Sequence, residues 1–228
     1  MWRSAFRCLG TNFVAGQRSM SQSSLSGKVA IITGSTDGIG LAAAESLGKR
    51  GAHVVVSSRR QANVDRAVEW LQSQKIQVTG TTCNVDKSED RENLVKLTVE
   101  KCGGVDILVS NAAVNPFFGN IMDSTEEIWD KVLSVNVKVF FLMTKLVMPH
   151  MQKRGGGNVV FVSSVAGYQP IRLWQSEDFL DDFKKQLSIK RVGEPKEISE
   201  VIAFLCSDEA SYITGETITV SGGMGCRL

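Results

Sequence analysis

Short apolar runs recur along the chain, separated by longer mixed segments. The first is Val29-Ala30-Ile31-Ile32 and the second Val54-Val55-Val56; others fall over 77–83, 106–110 and 158–163. All are of strand length, and the most uniform are apolar at successive positions, as in strands buried on both faces. The intervening segments predict helices over 41–50, 61–73, 89–101 and 125–153. The first is rich in Ala and Leu, carries Glu45 and Lys49 one helical turn apart, and stops at Gly51. Strand and helix alternate, which predicts an α/β fold with a doubly wound parallel sheet. No internal repeat interrupts the pattern, and a single domain over 27–228 is expected.

The turn between the first strand and first helix carries candidate chemistry. It reads Thr33-Gly34-Ser35-Thr36-Asp37-Gly38-Ile39-Gly40. A glycine-rich turn at this place lets backbone approach a pyrophosphate, while the helix N-terminus offers N–H groups and the positive end of its dipole. Gly34, Ser35, Gly38, Ile39 and Gly40 are therefore candidates for holding a dinucleotide, with a plain tight turn as the alternative. After the second strand, a site for NAD would place an acidic residue against the ribose 2'-hydroxyl. Here Ser57-Ser58-Arg59-Arg60 follows instead. Arg59, flanked by Ser58 and Arg60, could grip a 2'-phosphate with two parallel N–H bonds, which points to NADP(H). A solvated pair of arginines is the alternative.

Composition narrows the ligand. With 22% charged residues and a formal net charge of +2 over 228 residues, no strong field draws the chain to nucleic acid or an anionic membrane. A small, nearly neutral ligand fits better. Cys8, Cys83, Cys102, Cys206 and Cys226 are scattered without a CxxC pair, so neither a metal site nor a disulfide framework is indicated, and a reducing compartment is expected. His53 and His150 lie far apart, as structural or solvated residues do. The most apolar stretch, over 137–148, is interrupted by Lys138 and Lys145, so no membrane span is expected. Residues 1–26 carry Arg3, Arg7 and Arg18 among Trp2, Phe6, Leu9 and Phe13 with no acidic residue. That composition is a mitochondrial transit peptide's, with a disordered tail as the alternative. Cys226-Arg227-Leu228 resembles the peroxisomal Ser-Lys-Leu address.

Taken together, several motifs resemble the classical short-chain dehydrogenase/reductase family. Thr33-Gly34-x-x-x-Gly38-Ile39-Gly40 is similar to its cofactor motif, and Ser110-Asn111-Ala112-Ala113 to the motif supporting the central sheet. Cys83-Asn84-Val85 resembles the element beside the adenine, so Asn84, Val85, Asn111 and Ala112 join the cofactor-binding candidates. Asn136 matches the asparagine of the catalytic tetrad and Ser164 the catalytic serine. A buried hydrogen bond to backbone and an ordinary strand-end hydroxyl are the respective alternatives, and Asn111 suits bracing the sheet more than touching chemistry. The resemblance implies a Rossmann-like fold, a small-molecule carbonyl substrate such as retinal, a ketone or a quinone, and NADP(H).

The pattern then breaks. The family places a tyrosine about thirteen residues after the serine and a lysine four further on, as the proton-transfer pair. Counting from Ser164 reaches Glu177 and Asp181. An aspartate in the lysine's place would oppose tyrosinate formation. Tyr168 stands too close to Ser164, and Pro170 is hostile to a helix placing Tyr168 and Arg172 on one face. Family members also carry a long helix, the next parallel strand and a Pro-Gly loop before the region of Arg191-Val192-Gly193; here Ala166 runs almost directly into Ile171-Arg172-Leu173-Trp174. The sheet is thus expected to lack one late strand and helix, with the shortening after about residue 168. Residues 216–220, similar to the closing strand, would lose their neighbour. Apolar surface near Val139, Phe140, Phe141 and Leu142, which resembles the dimer-forming helix, would be exposed. Trp174, Phe179 and Phe183 would pack a helix beside the substrate pocket, or the core. Three readings follow: a carbonyl reductase by resemblance, a non-catalytic variant that binds NADP(H) or pairs with an intact family subunit as a homo- or hetero-oligomer, or a chain that does not fold stably. The missing pair favours the last two.

Overall fold

Alternation of side chains across a pleated strand explains how the apolar runs build two cores from one sheet. Ala30 and Ile32 of β1 (Val29–Ile32), Val54 and Val56 of β2 (His53–Ser58), and Ile107 and Val109 of β4 (Ile107–Ser110) face one side. Val29, Ile31, Val55 and Leu108 face the other. With β3 (Val78–Thr82) and β5 (Asn158–Phe161) these form a five-stranded sheet, ordered β3-β2-β1-β4-β5 and parallel throughout. A computed structural model describes residues 24–168, 181, 184, 185 and 187–224. The doubly wound parallel sheet expected from sequence is present.

On the first face pack α1 (Gly38–Lys49), α2 (Gln61–Ser73) and α6 (Pro195–Leu205), through Ala43, Ala44, Leu47, Leu71, Ile202 and Ala203. On the second lie α3 (Ser88–Cys102) and the helix formed by α4 (Glu126–Leu133), one π-helical turn (Ser134–Lys138) and α5 (Val139–Lys153). Leu25 already belongs to the core, and its N–H donates to the Arg50 carbonyl at 2.7 Å.

Two expectations change on this second face. The segment Glu126–Lys153 is one continuous helix of 28 residues, long and apolar enough by length and composition to cross a membrane, whereas the sequence suggested no run of that length. The turns before 137 supply the added length. Val135, Val139, Met143, Val147 and Met151, four residues apart, are buried against the protein's own sheet. Val139 is thus core rather than exposed dimer-type surface. Of the four residues expected to be uncovered, only Phe141 is fully so; Phe140 and Leu142 are half-buried. A helix presents different faces at successive residues, so one apolar run cannot all lie on one side.

The late part of the chain supplies α6 but no sixth strand among the described residues: residues 216–220 are not assigned as a strand. Helix α6 starts on a capping box. The Glu194 N–H donates to Glu197 at 2.8 Å, and Arg191 donates two hydrogen bonds of 2.6 Å to the same carboxylate. Those bonds hold the Glu197 carboxyl at about 2, below the usual carboxylate range. A depressed carboxyl stabilises the fold fully above its unfolded value of about 4.3, and this contribution is lost as pH falls toward 2. The expected result is that Glu197→Gln melts below the parent at neutral pH and that the difference shrinks between about pH 5 and 3, read by thermal unfolding across that range. A difference that stayed constant with pH would remove the assigned cause.

Candidate functional site

Because every strand is parallel, all five carboxyl ends open onto one edge of the sheet. The sequence-predicted residues occupy those ends: the glycine loop after β1, Ser58-Arg59-Arg60 after β2, Asn84-Val85 after β3, Asn111-Ala112 after β4 and Ser164 after β5. Strand order reverses between β1 and β4, and ligands of open α/β sheets bind in the crevice at such a switch point.

The glycine loop shows why three positions are glycine. Gly34 has φ +61°, and a Cβ there would meet the Ala112 Cα at 3.0 Å. At Gly40 a Cβ would lie 2.5 Å from the Gly34 carbonyl oxygen and 2.6 Å from the Asn111 side-chain nitrogen. Gly38 differs: φ is +53°, yet a Cβ would meet nothing within 4 Å. It borders open space at the N-terminus of α1, the cradle that backbone contact with a pyrophosphate requires. The Asp37 carboxylate accepts the Gly38 N–H at 2.7 Å and caps the helix. The residues present therefore fit a dinucleotide. Ser35, by contrast, is fully buried; its hydroxyl donates to the Ile32 carbonyl at 2.6 Å and accepts from the Ser57 N–H at 3.0 Å. Ile39 packs on the core. Both shape the loop from behind.

The loop is fastened to β4 by Asn111 and by Thr33, which the sequence left without a role of its own. Thr33 Oγ1 accepts the backbone N–H groups of Asn111 and Ala112 at 3.0 and 3.1 Å. Asn111 Nδ2 in turn donates to the carbonyls of Thr33 and Gly34, both at 3.0 Å. Asn111 thus braces the loop. Asn136, inside the π-helical turn, makes two 2.8 Å hydrogen bonds to the backbone of Val114, accepting its N–H and donating to its carbonyl. That is the backbone role left open for it. π-helical turns recur at functional sites because they re-aim one residue of a helix.

At the β3 end, Asn84 N–H donates to Asp90 at 2.8 Å, and buried Arg91 donates to the Val85 carbonyl at 2.6 Å. Asp86 receives Lys131 at 2.8 Å and Ser134 at 2.6 Å, and these donors hold its carboxyl below the usual range. Sequence spacing could not find this tie, since its members stand 45 and 48 residues apart. Burial pushes the Cys83 thiol up to about 12, with Asp90 adding to it, so this cysteine stays protonated and is no nucleophile at neutral pH. Arg59 and Arg60 are exposed at the end of β2, and neither forms an ion pair among the described residues.

At the β5 end, Ser164 is exposed, and its Oγ accepts the Ala166 N–H at 3.1 Å, capping a short turn. Tyr168 follows immediately and is half-exposed. Asp181, where the family lysine would stand by count, is exposed and pairs with Lys184 at 3.0 Å. Glu177, Trp174, Phe179, Phe183, Arg172 and the terminal address segments lie outside the described residues. Beside Ser164 runs a groove of about 910 Å³, bounded by β5, α6 and residues 213–220.

Comparison with known proteins places this geometry among relatives. The family profile described as short chain dehydrogenase matches residues 28–176, and one described as Enoyl-(Acyl carrier protein) reductase matches residues 171–225. Dehydrogenase/reductase SDR family member 4 of Sus scrofa is 49% identical over 90% of this chain and 89% of its own length. Dehydrogenase/reductase SDR family member 2, mitochondrial, of Homo sapiens is 39% identical over 87% of this chain and 86% of its own. Among solved structures, a 7α-hydroxysteroid dehydrogenase complexed with NADH and 7-oxo glycochenodeoxycholic acid is similar with a TM-score of 0.84 and 26% identity, over 91% of this chain and 98% of its own. An actinorhodin polyketide ketoreductase with NADPH gives 0.81 and 27%, over 87% and 97%. The Sus scrofa alignment runs over 249 positions while taking in 90% of a 228-residue chain, so roughly forty of that relative's positions have no counterpart here.

Proposed function

The chain belongs to the short-chain dehydrogenase/reductase family, and from that premise we propose that it binds NADP(H) in the manner of the family's carbonyl reductases but does not turn it over. The observation that carries this reading is a contrast between two strand ends. The β1 end keeps the complete glycine cradle, with open space at Gly38. Beyond the β5 end no lysine stands four residues after a tyrosine, because the chain's two tyrosines, Tyr168 and Tyr212, are followed at that spacing by Arg172 and Glu216.

When bound, the nicotinamide supplies a hydride. This chain's own residues would hold the dinucleotide and exclude alternatives: backbone N–H groups of the loop and the α1 N-terminus face the pyrophosphate, and Arg59 and Arg60 meet a 2'-phosphate as a bidentate cation pair. Ser164 remains to polarise a carbonyl. No Tyr-x-x-x-Lys pair remains in the sequence to pass a proton to the developing alkoxide, and general acid–base catalysis contributes roughly 10^2 to 10^4 in rate. The family substrate class is a carbonyl such as retinal, a ketone or a quinone. The named mitochondrial relative and the terminal segments support an organellar address, mitochondrial or peroxisomal, and the domain expected over 27–228 takes in Leu25 as well and is shortened after about 168.

The test is thermal unfolding with and without NADPH, followed by NADPH consumption with a reactive dicarbonyl. A cofactor-dependent rise in melting temperature without turnover is the expected result. In the same assay Arg59→Ser weakens NADPH about tenfold or more and leaves NADH nearly unchanged, since only NADPH carries the 2'-phosphate. Turnover at a rate near an intact relative's would overturn the reading. The β5 edge, without a second neighbour among the described residues, favours one competing reading, a chain that does not hold its fold, and it predicts no cooperative transition.

A further inference from the structure

Arg91, near the start of α3, is 6% exposed, a burial that arginine rarely reaches without an ionic partner. Among the described residues no carboxylate pairs with it. Its Nη1 donates to the Val85 carbonyl at 2.6 Å, and its Nε–H, also buried, finds no acceptor there. The one other buried side-chain atom in that state is the Ser110 hydroxyl, at the end of β4. Buried polar groups are as a rule satisfied, and an exception calls for a functional reason. Both exceptions border the crevice at the carboxyl ends of the strands. Asp90, the residue before Arg91, accepts the Asn84 N–H at 2.8 Å. Consecutive side chains of α3 thus hold consecutive residues of the turn that leaves β3, one by its N–H and the next by its carbonyl. Arg91 also stands close enough to Cys83 for its charge to oppose the upward shift of that thiol, which burial dominates and Asp90 reinforces.

We propose that Arg91 is a positioning residue for the adenine half of the dinucleotide: it draws the Val85 carbonyl inward while Asp90 holds Asn84, and together they fix the wall on which the base lies. The role rests on the cofactor reading above, which puts Asn84 and Val85 beside the adenine. Two observations select it over a purely structural one. An unpaired buried cation is a poor stabiliser, because an apolar side chain of similar volume fills such a site with little loss or with a gain. Its one strong hydrogen bond, moreover, goes to neither the sheet nor another helix but to the turn at the crevice. The desolvation of the guanidinium is therefore offset by what it holds in place, the backbone at Val85.

The test uses the full chain and two ligands, NADPH and adenosine 2',5'-bisphosphate, which carries the adenine half alone, with binding read by titration calorimetry and stability by thermal unfolding. The expected result is that Arg91→Met melts within about 3 °C of the parent. Both ligands weaken by the same factor, about tenfold, because the fragment contains the whole of the affected contact. Arg91→Lys keeps a donor for the Val85 carbonyl and regains most of the loss. Asp90→Ala removes the other hold on the turn and weakens both ligands likewise, which decides the matter should Arg91→Met fail to fold. Parental affinity in the folded variants would overturn the positioning role and leave the cofactor reading intact, whereas absence of NADPH binding by the parent would overturn both. A melting temperature that falls in step with affinity, or a loss for NADPH well beyond that for the bisphosphate, would also overturn it, by making Arg91 a part of the general fold whose removal reaches the glycine cradle.

Discussion

Replacing Gly40 by valine abolishes the rise in melting temperature that NADPH gives the parent chain, and lowers the melting temperature of the free chain as well. The cause is steric and local. A Cβ at Gly40 would stand 2.5 Å from the Gly34 carbonyl oxygen, 2.6 Å from the Asn111 side-chain nitrogen and 2.8 Å from the Ser35 Cα. Two of these are backbone atoms, which cannot swing aside as a flexible side chain does. Overpacking of this kind costs about 1–3 kcal/mol, or roughly 2–12 °C for a chain of this size. The displaced groups are the ones that hold the turn, since Asn111 Nδ2 bonds the carbonyls of Thr33 and Gly34. Binding therefore fails together with the loop. At a hundredfold excess over its Kd, NADPH contributes about 2.7 kcal/mol to the parent, and that whole increment disappears. Gly38→Ala separates the two effects. Its Cβ meets no protein atom, so the free chain pays only the strain of a left-handed alanine, about 1–2 kcal/mol, while the methyl occupies the cradle itself. Near-normal NADPH protection of Gly38→Ala, read by the same melts, would move the phosphate site elsewhere.

Legibility in the sequence followed the locality of the cause. β1 and α2 fall on the residues expected, 29–32 and 61–73, because an uninterrupted apolar run and a helix between turns are set by neighbours in the chain. The glycine loop was legible because positive φ and close backbone approach each demand glycine wherever they occur. The π-helical turn was not. Residues 125–153 read as one helix, and the extra residue in its turn is fixed by Val135 seating in the core and Asn136 reaching Val114, 22 residues away. Thr33 was quoted as part of a motif, but its task, gathering two N–H groups from β4, depends on which strand lies beside β1. The helix face was also hidden: Val139 and Phe141 stand two apart in one apolar stretch, and only packing against the sheet decides that the first is core and the second exposed. Residues 216–220 show the converse case, where strand propensity is legible but no neighbouring strand stands among the described residues.

The same long-range logic makes Asp106 a stability determinant that no motif announces. Asp106→Ala lowers the melting temperature by roughly 6–12 °C, corresponding to about 3 kcal/mol. The residue is 3% exposed at the start of β4. Its carboxylate accepts the Val29 N–H at 2.8 Å and two bonds from Arg154, at 2.8 and 3.1 Å, while Arg154 also donates to the Gly27 carbonyl at 2.7 Å. One side chain thus ties the entry of β1 to the end of α5, and its carbonyl accepts the Asn158 N–H that starts β5. Alanine leaves the Val29 N–H buried without an acceptor, a loss of about 1–3 kcal/mol. The Arg154 guanidinium, about a third exposed, recovers part of its loss from water, which keeps the total below that of a fully buried ion pair. Lys28, half-exposed with its nitrogen 4.0 Å from the carboxylate, is the control, and Lys28→Ala changes stability by less than about 1 kcal/mol. Because Asp106 sits at the amino ends of the strands, the edge opposite the glycine loop, the variant keeps its full NADPH-induced rise in melting temperature. Loss of that rise in Asp106→Ala would mean that the two edges of the sheet are coupled, and that damage at the amino ends reaches the cradle at Gly38.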